Sequence, residues 1–177
     1  MIKDIVEQDV WEWIKNYIEA NHKFYDYKFP PCPYAKSARL KGLVTVHAYE
    51  SGSIFNFIKK MSSKNIDDNK HSVMVLVLPP RTKLFNWFLS KFINNLNKKL
   101  VQSDYYAQYG VALSTESKYA GFLNSGEYSI VIINKLSEIL DGHKSLLKTD
   151  YYKSWAKHHY DAVVVRRQDM YDRYGKK

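Results

Sequence analysis

The chain has one cysteine, Cys32, in 177 residues, together with only 7 glycines and 5 prolines. A single thiol closes no intramolecular disulfide and builds no thiolate zinc site by itself, which points to a reducing, cytoplasmic setting. Long apolar runs are missing too. The longest, VMVLVLPP at residues 73–80, falls far short of the roughly 20 residues that a membrane helix needs. Asp4, Glu7, Asp9, Glu12 and Glu19 interrupt the N-terminal stretch, and acids through the apolar region exclude a signal peptide. A soluble protein with no membrane partner is expected. So few glycines leave little material for a phosphate-cradling loop, and neither a P-loop nor GxGxxG occurs. HExxH, paired CxxC and carboxylate–histidine clusters are also missing, so neither a metal nor a cofactor is expected.

What is present is aromatic and basic. Aromatic residues make up 15% of the chain, with 15 tyrosines, so much of the packing must be between rings. Hydrophobic residues at 45% and charged residues at 25% suit one ordinary globular domain. The expectation is a single domain over residues 1–177, with an α+β core at 1–148 and a helical extension at 149–177. The net charge of +9 is concentrated, with +6 in residues 51–104 and +5 in residues 143–177. Joined in space, these segments would make a face for polyanions; apart, they are solvated surface.

Periodicity supplies the elements. Val6, Val10, Trp13, Ile14, Tyr17 and Ile18 recur at helical spacing and predict a helix over residues 4–20. Residues 43–49 (LVTVHAY) predict a strand, SGSIFNFIKKM a short helix capped by Ser53, and SSKNIDDNKH a loop. Residues 72–79 are apolar on both faces, as a central strand should be. Thr82 caps a long helix to about Lys99, with Phe85, Phe88, Leu89, Phe92, Leu96 and Leu100 on its buried side. Residues 108–114 and 128–134 read as two more strands around a loop at 119–127. Residues 135–147 read as a helix, and the tail as two helical pieces. The close third and fourth strands imply an antiparallel pair. The expected fold is α+β: a single mixed or antiparallel sheet of about four strands covered by helices, ferredoxin-like in spirit, with a helical C-terminal tail.

The stretch FPPCPYAKSARL, residues 29–40, is the candidate site. Proline favours the first turn of a helix, so Cys32 is expected at an N-cap and Pro33 just inside it. Free N–H groups and the helix dipole there stabilise anions, a thiolate included. Lys36 and Arg39 would add positive potential, and His47 on the following strand is the candidate base. Three readings of Cys32 stay open: a small buried hydrophobe, a corner of an anion pocket, or a nucleophile. His47 is equally compatible with a half-exposed strand position. A different reading takes Lys91, Lys98, Lys99, Arg166, Arg167 and Arg173, interleaved with aromatics, as nucleic-acid contacts. The same pattern fits a helix with an aromatic core side and a wet basic side.

The motif PPCPYAK resembles the Cys-Pro-aromatic-Ala motif of an uncharacterised family of bacterial and phage proteins. The layout is similar as well: Trp11 and Trp13 before the motif, the strand ending in VLVLPP, the helix at 82–100, and NSGEYSIVIINKL. The resemblance implies an intracellular α/β domain and supplies no catalytic residues. Three functions therefore compete on the sequence. The first is a domain that handles a small anionic ligand, an enzyme or not, using Cys32, His47, Lys36 and Arg39. The second is a basic nucleic-acid-binding or phage accessory protein. The third is a protein-interaction module that forms homo-oligomers.

Overall fold

Residues 3–80, 82–110 and 128–175 are described by the structure, a computed structural model. Its centre is strand β2, Val73–Leu78, apolar at every position and buried at all but the first. A strand with no polar side needs cover on both faces. On one edge it pairs in parallel with β1, Val44–Ala48; on the other it pairs antiparallel with β4, Ser129–Lys135. Strand β3, Tyr105–Gly110, completes a mixed sheet of order β1-β2-β4-β3 by antiparallel pairing to β4. A parallel neighbour requires a crossover, and helix α3, Ile54–Asp68, supplies it between β1 and β2. The element order β-α-β-α-β-β-α shares with ferredoxin-like folds a single sheet under helices, though not their β-α-β-β-α-β succession.

The two faces are covered by different parts of the chain. Alternation along the strands sends Met74, Leu76, Leu78, Ala107, Val131 and Ile133 to one side. There they meet Ile54, Ile58 and Met61 of α3, and Leu89, Ile93 and Leu100 of α4, Lys83–Leu100. Val46, Ala48, Val75, Val77 and Ile130 point the other way, onto Val6, Val10 and Ile14 at the N-terminal helix α1, Lys3–Trp13. Beyond α1, Tyr106 of β3 packs with Leu136 and Leu140 of α5, Leu136–Leu146, and with Met170 and Tyr174 of the C-terminal helix. No helix among the described residues is long and apolar enough to cross a membrane.

Local chemistry explains most boundaries. Ser53 accepts from the Asn56 N–H, and Thr82 from the Phe85 N–H, as expected of the two N-caps. Helix α3 does not stop where the polar stretch SSKNIDDNKH begins, because Met61, Ser62 and Asn65 keep its inner face buried. It ends only at Asn69, which takes a left-handed conformation with φ of 43°. The N-terminal helix is α-helical to Trp13 and then widens into a π-turn, Ile14–Ile18. Strand β3 starts earlier than expected, after Asp104 turns the chain at φ of 62°. The expected strand residues 111–114 and the expected loop 119–127 lie outside the described residues. The tail forms a helical run: α6, Lys157–Tyr160; a π-turn, Asp161–Val165; and α7, Arg166–Tyr174.

Helix α4 departs from its simple apolar stripe. Phe88, expected inside, is 51% exposed, whereas Asn86 and Asn97 are buried. The sheet edge explains Asn97. Among the described residues strand β3 has a neighbour on one side only, and Asn97 reaches its other side to donate to Ala107 O (2.9 Å) and accept from Ala107 N (2.7 Å). It thereby satisfies buried backbone groups that would otherwise be orphaned. Asn97→Leu should lower stability by about 3 kcal/mol, since two buried backbone partners lose their bonds. Urea unfolding checks this; a loss below about 0.5 kcal/mol would assign the edge's stability to β4 alone.

Candidate functional site

The segment after α1 is fixed from both ends of the chain. A short 3-10 turn, Lys23–Tyr25, buries Tyr25. Its ring stacks on Tyr151 with centroids 4.7 Å apart, and the Trp155 indole N–H donates to its hydroxyl at 3.0 Å. The Tyr151 hydroxyl donates to Pro31 O at 2.6 Å, and Phe29 packs edge-on to both tyrosine rings. The proline-rich turn thus rests on the start of the tail. Tyr34 binds it to α5 by donating to Gly142 O at 2.8 Å. A Cβ at position 142 would lie 2.8 Å from that ring, so glycine is what permits the close approach.

Helix α2, Ala35–Leu40, has Tyr34 rather than Cys32 at its N-cap, and Cys32 lies two residues before it, outside the helix. The displacement is small in chemical terms. The Cys32 carbonyl accepts from the Ala35 N–H, and the thiol faces the N–H groups of Tyr34 and Ala35. Cys32 is exposed as a residue, and desolvation by the surrounding protein is the largest influence on its thiol. Burial pushes the thiol up; the two N–H groups and the charge of Arg167 pull it down, and Glu19 pushes it up again. The net direction is upward, towards a neutral thiol.

Arg167, read from sequence as a phosphate contact on a basic surface, is instead 7% exposed. It forms no hydrogen bond or ion pair among the described residues, and its Nε is enclosed without a partner. Its guanidinium carbon lies 5.7 Å from the centroid of the Tyr106 ring. The charge acts on Cys32, Tyr106, Tyr152 and His143, which places these groups around it. Burial pushes the Tyr152 hydroxyl up to about 12 and raises Tyr106 as well. It also lowers His143, whose Nδ1 lies 3.1 Å from the Tyr152 hydroxyl and Nε2 3.4 Å from that of Tyr160. One buried cation therefore stands among hydroxyls, a thiol and an imidazole that are all neutral near pH 7.

The other residues singled out from sequence lie elsewhere. Arg39 is engaged by Glu19 through two bonds, Nε to Oε1 at 2.7 Å and Nη2 to Oε2 at 2.8 Å. It borders a depression of about 600 Å³ lined by Asp4, Glu7, Gln8, Trp11, Glu12 and Lys15, with Arg39 itself held by Glu19. Lys36 is exposed on α2. His47 sits on β1, lowered first by burial, with Glu7, Lys64, Lys3 and His71 as its charged neighbours and no link to Cys32. Lys91 lies over the Trp87 ring at 3.7 Å, and Lys98, Lys99, Arg166 and Arg173 are exposed. Among the described residues no group of three His, Cys, Asp or Glu side chains could hold a metal ion.

No protein-family model, curated protein or solved structure matches this chain.

The thiol offers a direct check. Alkylation of Cys32 by iodoacetamide from pH 6 to pH 10 should proceed with an apparent pKa above the free-thiol value of about 8.5. Arg167→Gln should move that value further up, because the guanidinium is one of the groups holding it down. An apparent pKa below 8 would make Cys32 an activated thiolate.

Proposed function

We propose that this chain is an anion-handling domain whose binding centre is Arg167, with Cys32, Tyr106, Tyr152 and His143 around it. The observation that carries the reading is a buried guanidinium with an enclosed, unpartnered Nε and, among the described residues, no carboxylate paired with it. Burying an unpaired charge costs several kcal/mol by general experience with buried ions. A fold that keeps one has placed it for something that arrives with the opposite sign. In this reading Cys32 is a wall of the pocket that offers a neutral thiol, not the attacking group. Lys36 and His47 take no part, and Arg39 supports Glu19.

A second reading has an observation of its own. Helix α7 packs against α4 near Val101, so the two basic segments meet. Exposed Lys98 and Lys99 in the last turn of α4 and Arg166 and Arg173 on α7 then belong to one side of the protein. A nucleic acid could bind this side without any involvement of Arg167.

Thermal unfolding in acetate, sulfate and phosphate at fixed ionic strength separates the readings. The midpoint should rise saturably with at least one of these anions, as binding to the native state alone requires. Arg167→Gln should remove the rise. A rise that persists in that variant would contradict the proposal. Binding of a labelled oligonucleotide that weakens steeply with salt and survives Arg167→Gln would favour the second reading.

A further inference from the structure

We propose that the outward face of helix α4 docks on an anionic lipid surface, with Leu84, Trp87 and Phe88 entering the headgroup layer and lysines meeting the phosphates around them. Residues 84, 87, 88 and 91 recur at the three- and four-residue spacing of a single helix face. That face points away from Leu89, Ile93 and Leu100, which turn α4 onto the sheet. Leu84 is 66% exposed, and Trp87 and Phe88 are each 51% exposed. None of the three belongs to a core cluster of the described residues. Adjoining large apolar side chains left in water mark a contact surface.

Charge selects the partner. Lys91 lies over the Trp87 ring at 3.7 Å, and Lys98 and Lys99 are exposed further along the helix. No acidic residue occurs anywhere in α4. Helix α3 runs beside α4 in the same direction, since both cross one face of the sheet between strands of one direction. Phe55 of α3 packs on Phe85 and Phe92 of α4 at 5.8 and 4.9 Å, and Lys59 stands 5.7 Å from the Phe92 centroid. The acids of α3, Asp67 and Asp68, fall at its far end. Cations from two helices therefore border the apolar wedge, and no carboxylate of either helix lies beside it.

A bilayer surface suits this combination. Trp, Phe and Leu settle at the boundary of headgroups and acyl chains, while lysine stems follow apolar surface and keep their charges at the phosphates. Crossing a bilayer takes a long apolar helix, which the described residues lack; lying on one takes only a short apolar face beside cations. A nucleic acid suits it less. Phe88 stands at 79° to Trp87 and Lys91 covers one face of the indole, so the rings make no flat platform for stacked bases. A two-fold contact with a second copy would bring like-charged lysines together with no acid of α4 to pair them. This surface is separate from the Arg167 site, because Trp87 lies about 20 Å along the helix axis from Val101, where α7 packs.

Sedimentation of the full chain with lipid vesicles tests the proposal. Phosphatidylcholine vesicles with about 30% phosphatidylserine should bind the protein roughly tenfold more tightly than phosphatidylcholine alone. Leu84→Ser and Phe88→Ser change exposed side chains, so each should keep the parent's unfolding midpoint and lose about tenfold in vesicle affinity. Tryptophan emission should shift to the blue when anionic vesicles are added, and Trp87→Tyr should abolish the shift although Trp11, Trp13 and Trp155 remain. Arg167→Gln should bind vesicles as the parent does, which keeps this result distinct from the anion-handling reading. Failure of the parent to sediment with anionic vesicles would overturn the proposal. Equal binding to neutral vesicles, or undiminished binding by Leu84→Ser and Phe88→Ser, would overturn it too. A dimer or an oligonucleotide complex that Phe88→Ser abolishes, in a protein that ignores vesicles, would give the face to that partner instead.

Discussion

The stack of Tyr25 on Tyr151, centroids 4.7 Å apart, is the contact on which the site depends. The sheet and its covering helices make a stable frame without it, because β2 is enclosed by α3 and α4 on one face and by α1 on the other. The frame alone does not bring the proline-rich turn to the tail. The stack does, helped by the bonds from Tyr151 to Pro31 and from Trp155 to Tyr25. Once the start of the tail is pinned there, the helical run after Ala156 passes beside Cys32 and α5, and Arg167 arrives over Tyr106. Aromatic rings suit this task because they bury large areas with few rotatable bonds.

Two π-turns border the same region. Ile14–Ile18 ends at the residue whose carbonyl accepts the Cys32 N–H, at 3.2 Å. Asp161–Val165 ends two residues before Arg167. A π-turn adds one residue to a helix and so rotates the next turns by about 100° relative to an uninterrupted α-helix. Val164 and Arg167, three positions apart, share the buried side while Arg166 faces solvent. Such insertions interrupt regular hydrogen bonding and are frequent at functional sites. Here the two π-turns flank the segments that carry Cys32 and Arg167, whose charge acts on the Cys32 thiol.

The fold was largely legible because its signals are local. The doubly apolar β2, the caps Ser53 and Thr82 and the helical spacing of α1 and α4 each follow from neighbours in sequence. The site was legible only in half. Cys32 stood out by its prolines and its basic followers, but its electrostatic partner lies 135 positions away, at Arg167. Nothing in RRQDMYDRY distinguishes the arginine that turns inward from the two that do not. His47 and Arg39 drew attention as neighbours in sequence, and distance in sequence was the wrong measure: each is engaged with α1 or with the π-turn that extends it. Phe88 is exposed where the stripe put it inside, and the buried Asn97 lies outside the stripe altogether. The open edge of β3 demands a polar partner, and a hydrophobic stripe carries no information about edges.

The central claim is that Arg167 is held at a cost to the fold in the absence of its anion. The stability of Arg167→Met in buffer with no small carboxylate or oxyanion is the most direct measurement of it. Methionine keeps much of the apolar stem and removes the unpaired charge, so the variant should unfold a few degrees higher than the parent. A gain of 1 kcal/mol corresponds to about 2–4 °C for a chain of this size. A variant that melts well below the parent would show that the guanidinium holds the fold together, and would contradict the account.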